Sequence, residues 1–223
     1  MEPIGEEKDG MHDADNLKKL YKAQEHASLE VLYSLADAVD ARNAYTTGHS
    51  KQVTVCATNI ARVMGLKKKE LDAIKLCGPL HDIGKIAVKE AIIGKPGKLS
   101  EDEFSQIKIH PLKGYRIIEG LDFLGEARLL ALHHHERFDG KGYPYGLKGE
   151  EIPLGARILA TADAIDAMTS DRPYRKALDI DMVLMELDTC SGTQFDPKVV
   201  NTLLKRVEQK PEIFYGIIKP KDI

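Results

Sequence analysis

His81 and Asp82 stand side by side in the apolar stretch LHDIGKI, and five further potential metal ligands, His49, His110, His134, His135 and Asp163, lie in hydrophobic-patterned segments around them. A His-Asp doublet inside an apolar run is costly, because buried polar groups need partners and a buried carboxylate needs a counter-charge. A divalent cation meets both needs. A mixed imidazole and carboxylate set suits iron, manganese, zinc, cobalt or nickel better than calcium or magnesium. These seven side chains exceed what one ion takes, so the pattern points to a two-metal hydrolytic site. Singly, a histidine on a helix is more often a satisfied core or surface residue, and His12 and His26 are read that way. The ordered series is different: each ligand group is separated from the next by about one helix and one connection, so successive helices could bring one set apiece to a shared centre.

Positioning these residues requires helices. Alternating strand patterns are nearly absent, whereas apolar residues recur at helical spacing at Val53, Ala57, Ile60 and Met64, at Leu71, Ile74 and Leu80, and at Leu154, Ile158, Leu159, Ala162 and Ile165. The last group is expected to form a strongly amphipathic helix. The predicted fold class is all-α. Ser100 with Glu103 forms a capping-box signature for the helix before His110, and Asp196 before Pro197 starts a final helix ending near Val207. His110 precedes Pro111 and is expected near a helix end. Asp163 shares a helix face with Ala156, Leu159, Asp166 and Ala167. Adjacent helical residues point about 100° apart, so His81 and Asp82 cannot share one face. Either the helix ends there, as Pro79 and Gly84 allow, or Asp82 lies between two metals while His81 flanks one.

Two segments break the helical rhythm. Residues 1 to about 15 are polar and read as a disordered lead or linker, before a seam of Leu17, Leu20, Tyr21, Gln24, Ser28, Val31 and Leu35 that either dimerises or docks on the core. Residues 136–155 carry five glycines and two prolines. A loop of that length in a helical domain tends to be functional, and its glycines let backbone approach a ligand.

The chain has 223 residues and a formal net charge of −3, which suits one substantial domain and argues against a surface that coats DNA or RNA. No apolar run reaches membrane-spanning length, and the acidic N-terminus is no signal peptide. Cys56, Cys77 and Cys190 are widely spaced with no CxxC pair, which favours a reducing cytoplasm over a disulfide framework.

HDIGK at 81–85, HHERFDGKGYP at 134–144 and ARILATADAIDAMTSDRPYR at 156–175 resemble the HD-GYP domain of the HD phosphohydrolase superfamily. The resemblance spans roughly residues 29–206, leaving 1–28 as linker and lead helix and 207–223 as a tail. It implies an HD-type helical bundle with the Gly/Pro-rich loop over a two-metal centre, of iron or manganese, or of nickel, cobalt or zinc. It also implies hydrolysis of cyclic di-GMP to the linear dinucleotide pGpG and, in many members, on to GMP, with an upstream sensor domain or signalling partners. Carried over by position, His49, His81, Asp82 and Asp163 would hold one metal, and Asp82 would bridge to a second held by His110, His134 and His135. Lys85 resembles the family's phosphate-facing lysine and, with Asp82, is assigned to catalysis. Arg172 and Arg175 are further phosphate candidates, and Gly142, Tyr143 and Pro144 would wall a guanine base. Asp139 would orient that loop or a ligating histidine, and His133 falls outside the motif register. Tyr45 stands where some relatives carry a glutamate for a third metal, so two are expected. The rival readings are an HD-type phosphohydrolase of another nucleotide or cyclic dinucleotide, and a metal-containing sensor or interaction module without useful turnover.

Overall fold

The computed structural model describes residues 7–42, 48–95, 97–171 and 176–210. The described residues form helices joined by turns and by one long loop over residues 134–153, with an isolated bridge between Ser191 and Phe195 and no strand. The helices are α1 (Glu7–Ala41), α2 (His49–Val63), α3 (Lys68–Cys77), α4 (Glu90–Ile93), α5 (Glu101–Lys108), α6 (His110–Ile118), α7 (Ala127–His133), α8 (Leu154–Thr169), α9 (Ile180–Thr189) and α10 (Pro197–Gln209). Among these helices none is long and apolar enough to cross a membrane.

α8 is the centre of the bundle and packs against α2, α3, α7, α9 and α10. It is not the strongly amphipathic helix expected from its spacing. Its buried positions, Ala156, Ile158, Leu159, Thr161, Ala162, Ile165, Asp166 and Met168, run round most of the circumference, as befits a helix covered on nearly all sides. Small residues on α8 (Ala156, Ala162) and on α2 (Ala57, Ala61) are fully buried where the two helices meet, and leave room for close approach. Ile60, Ile74, Leu80, Ile158, Leu159, Ile165 and Leu187 complete the core, each contributing roughly 1.5–3 kcal/mol by burial.

The local start signals act as the sequence predicts. Ser100 Oγ accepts from the Glu103 amide at 3.2 Å while the Glu103 carboxylate accepts from the Ser100 amide at 2.7 Å. Asp196 caps α10 by accepting from the Lys198 amide at 2.7 Å, and its other oxygen pairs with part-buried Arg157. α10 extends to Gln209, two residues past the expected end.

Two expectations about α1 are corrected. The helix already begins at Glu7, within the segment read as a disordered lead. Extending an existing helix adds about one hydrogen bond per residue without a second nucleation cost, so polar residues ahead of Leu17 follow it. The seam also does not dock on the core: Leu17, Leu20 and Val31 are 54%, 66% and 69% exposed. Leu29, Leu32, Tyr33 and Ala36 make that contact instead.

Candidate metal centre

The break at His81 is the ending-helix alternative. α3 stops at Cys77, Gly78–Leu80 form a 3-10 turn, and Asp82 leaves helical geometry at φ −101° and ψ 5°. This swing turns the Asp82 carboxylate away from the line of His81. The turn can lie against α6 only because residue 84 is glycine: a Cβ there would stand 1.9 Å from the His110 carbonyl oxygen and 2.4 Å from the Gly114 nitrogen. The Gly84 contact brings the first residue of α6, His110, within 3.1 Å of Asp82 Oδ1.

Two ligand sets result, each with donor atoms within 4.8 Å of one another: Asp82, His110, His134 and His135 in one, and His49, His81 and Asp163 in the other. Asp82 reaches across, since its Oδ2 lies 3.5 Å from His81 Nε2 and 3.8 Å from His49 Nε2. All seven side chains named from the sequence therefore converge on one buried centre.

The donor chemistry fits a cation. Nδ1 of His81, His110 and His134 each donates to the carbonyl three residues upstream, Gly78, Ile107 and Ala131, at 2.7, 2.8 and 2.7 Å. A carbonyl can only accept, so the proton sits on Nδ1 and the Nε2 lone pair faces the centre. The lone pairs of His110 and His134 meet at 3.4 Å, and the buried Nε2 of His81 and Oδ1 of Asp82 have no hydrogen bond. Lone pairs of imidazoles pressed on each other and on a carboxylate repel; a divalent ion between them turns the repulsion into coordination.

Electrostatics agree. Burial lowers the pKa of His110, His134 and His135, the last furthest, because neighbouring imidazoles add repulsion, so these three are neutral at pH 7. Burial would also lower His49, but hydrogen bonds to Asp163 and Asp166 outweigh it and lift the group to about 10. Burial pushes Asp82 up, yet the Lys85 ammonium beside it holds it well below the usual carboxylate range.

Lys85 Nζ pairs with Asp82 Oδ2 at the edge of the centre, its side chain 31% exposed. The Arg42 guanidinium, at the end of α1, clasps the backbone here by donating to the carbonyls of Lys85, Ile86 and Val88 at 3.3, 3.3 and 3.1 Å. Tyr143 lays its ring on His135, with centroids 4.9 Å apart and planes 34° from parallel. The Tyr143–Pro144 peptide is cis. Gly142 serves the loop itself: a Cβ would meet the Arg137 nitrogen at 2.3 Å and the His135 carbonyl oxygen at 2.6 Å. Arg172, Arg175 and Tyr45 lie outside the described residues.

Several partners escaped the sequence reading. Asp166, seen only as a second carboxylate on the Asp163 face, accepts from His49 Nδ1 at 2.7 Å and fixes the ring with Nε2 toward Asp163. Glu136, buried, anchors the loop by accepting from the Tyr145 and Leu147 amides at 2.8 and 3.1 Å. Asp139 holds Arg137 and the Lys141 amide rather than a histidine. His133 turns to Glu136 and Tyr145, away from both ligand sets, and His26 is an exposed partner of Glu30.

Comparison with known proteins gives the lineage. Residues 33–199 match the HD domain family. A cyclic di-GMP phosphodiesterase response regulator, RpfG, of Xanthomonas campestris is 42% identical over 85% of this chain and 50% of its own. A cyclic di-GMP phosphodiesterase of Thermotoga maritima is 36% identical over 88% of this chain and 54% of its own, and a 3'3'-cGAMP-specific phosphodiesterase of Vibrio cholerae 37% over 82% and 35%. The chain thus spans about half or less of the length of these relatives. The fold is shared with a crystal structure of a cyclic GMP-AMP phosphodiesterase of V. cholerae, at TM-score 0.62 and 22% identity over 85% of this chain and 50% of that one. An HDG"Y"P protein of Bdellovibrio bacteriovorus superposes with TM-score 0.59 at 16% identity over 86% and 68%. With the His-Asp doublet at the junction of two ligand sets and the Gly-Tyr-Pro loop folded over His135, the chain belongs to the HD domain family, in its HD-GYP branch.

Proposed function

We propose that this chain is a metal-dependent phosphodiesterase that opens cyclic di-GMP to linear pGpG and cleaves that product onward to GMP. The observation that carries the reading is the pair of adjoining ligand sets sharing Asp82. Two divalent ions, iron or manganese, would supply Lewis acidity and an activated water for in-line attack on phosphorus. His49, His81, Asp82 and Asp163 would hold one, and Asp82, His110, His134 and His135 the other.

The chain's own groups do the rest. Lys85 brings an ammonium to the rim of the centre, where charge grows on phosphoryl oxygens in the transition state. Arg42 holds the Lys85 backbone, so that charge is delivered at a fixed place. Asp166 keeps His49 aimed inward, and Tyr143 covers one side of His135. Arg172 and Arg175 are proposed to add bidentate phosphate contacts. The catalytic unit is taken as residues 29–206, and the exposed α1 seam as the face that pairs with a second copy, which truncation before Ser28 would abolish in light scattering.

The test is product identification with manganese, or with ferrous iron under anaerobic conditions. Wild-type protein is expected to release pGpG and then GMP. Protein carrying its full metal complement that leaves cyclic di-GMP intact would refute the reading in favour of a binding module.

A further inference from the structure

α1 ends against the metal centre. It lies along both 3-10 turns that flank the His81-Asp82 pair, Gly78–Leu80 and Ile83–Ala87. Tyr33 and Ala36 pack on the core and Val39 is buried, so the last turns of the helix are firmly seated. Just beyond that seat come two charged side chains, Asp40 and Arg42, and each takes hold of a different segment of the centre.

Asp40 reaches α2. That helix starts after Gly48, which has no side chain to cap it, and its first turn carries no acidic residue. The first amides of a helix have no partner within it and carry partial positive charge. Asp40, 8% exposed, supplies an acceptor from α1, its Oδ2 taking the Ser50 amide at 3.3 Å. Ser50 follows His49, so this bond holds the turn from which the His49 ring enters the centre. Arg42 reaches the other side. Its Nη1 donates to the Lys85 and Ile86 carbonyls and its Nη2 to that of Val88, three acceptors on the segment that carries Lys85. The rigid fork of a guanidinium can hold several carbonyls at once, which a single ammonium on a flexible stem does poorly.

The two grips converge on one atom. His49 Nε2 lies 3.8 Å from Asp82 Oδ2, and Lys85 Nζ pairs with the same oxygen. The end of α1 therefore holds, from behind, both groups that meet at Asp82 Oδ2. We infer that Asp40 and Arg42 are positioning residues of the hydrolytic centre: together they fix the separation of His49 from Lys85 across Asp82, and turnover depends on it. The inference rests on the phosphodiesterase reading above. It differs from a brace for stability alone, because the effect of Arg42 on rate must pass through Lys85 and that of Asp40 through the His49 ligand set.

The experiment is a double-substitution cycle on the full metal-loaded chain, joined to manganese binding by calorimetry. Arg42→Ala is expected to lower kcat for cyclic di-GMP on the order of tenfold with KM and metal content unchanged, the mark of a misplaced transition-state contact. Arg42→Lys should restore part of the loss. In a Lys85→Ala background Arg42→Ala should add nothing, because its effect passes through Lys85. Asp40→Ala should weaken manganese binding on the order of tenfold, and Asp40→Asn, which keeps an acceptor for the Ser50 amide, should repair most of that. Full turnover in Arg42→Ala, or the same fold loss with and without Lys85, would overturn the inference and leave Arg42 a brace. Manganese binding that Asp40→Ala leaves alone would overturn it too. Should Arg42→Ala not fold, Arg42→Lys carries the same cycle. If loaded wild type leaves cyclic di-GMP intact, the activity reading fails by itself and manganese affinity decides the positioning. A loss in Asp40→Ala that Asp40→Asn repairs then supports it, and equal affinity in all three proteins refutes it.

Discussion

Replacing Lys85 with alanine should separate catalysis from stability, because its partner Asp82 changes company when metal binds. In the metal-free protein the Asp82 side chain is 5% exposed and Lys85 Nζ is its neighbouring ammonium, while His81, His110 and His134 turn lone pairs toward it. Removing one member of a fully buried pair costs about 3–5 kcal/mol. Lys85 is 31% exposed and water can partly replace it, so a loss of about 1–3 kcal/mol is expected in urea unfolding without metal. With metal bound, the cations compensate Asp82 and the loss should shrink to under about 0.5 kcal/mol. Turnover should fall on the order of a hundredfold, or about 2.7 kcal/mol of transition-state stabilisation, with metal content unchanged. Lys85→Arg should restore only part, since a planar fork does not replace a compact ammonium in a tight site. Equal destabilisation with and without metal would refute the Asp82 pairing argument. Undiminished hydrolysis by a fully loaded variant would remove Lys85 from catalysis.

Gly84→Ala should be more damaging than a surface glycine change, because its Cβ would fall 1.9 Å from a backbone oxygen that cannot swing aside. Displacement of His110 should cost at least one metal per chain, read by elemental analysis, and retention of both with native stability would show that the turn has slack. The pH dependence of metal affinity follows from His49, which is lifted to about 10 in the metal-free fold and must lose its proton to bind. Affinity should rise by about one log unit per pH unit between pH 7 and 9, and a flat profile by calorimetry would contradict that assignment. In the metal-free protein the sign is opposite for stability: the raised pKa of His49 contributes fully below about pH 6.5 and is lost as pH climbs through about 10. Asp166→Asn should lower the His49 pKa and flatten the affinity slope, measurable by titration of the ring resonances.

How much was legible depended on how local each cause was. Caps at Ser100 and Asp196 act through hydrogen bonds two or three residues away, so their residue types announce them. The ligand series was legible because histidine and aspartate within apolar runs are chemically out of place, wherever they meet in space. The role of Asp166 was not, since an aspartate on a helix face carries no mark of the His49 ring that reaches it from 117 residues away. Gly142 shows a related limit. A glycine permits close approach, but whether backbone or ligand comes close is decided by the fold, and here it is Arg137 and His135. The α1 seam shows the reverse limit: its apolar spacing is genuine, yet spacing alone does not say whether a core lies opposite, and none does among the described residues.

Asp82 is proposed as the residue shared by two metal positions. Elemental analysis of wild type and Asp82→Ala, purified with manganese or anaerobically with ferrous iron, tests it. Wild type should carry two ions per chain, and Asp82→Ala should fall well below two and lose hydrolysis, while His26→Ala changes neither quantity. An Asp82→Ala protein that kept two ions and normal turnover would contradict the assignment of this centre.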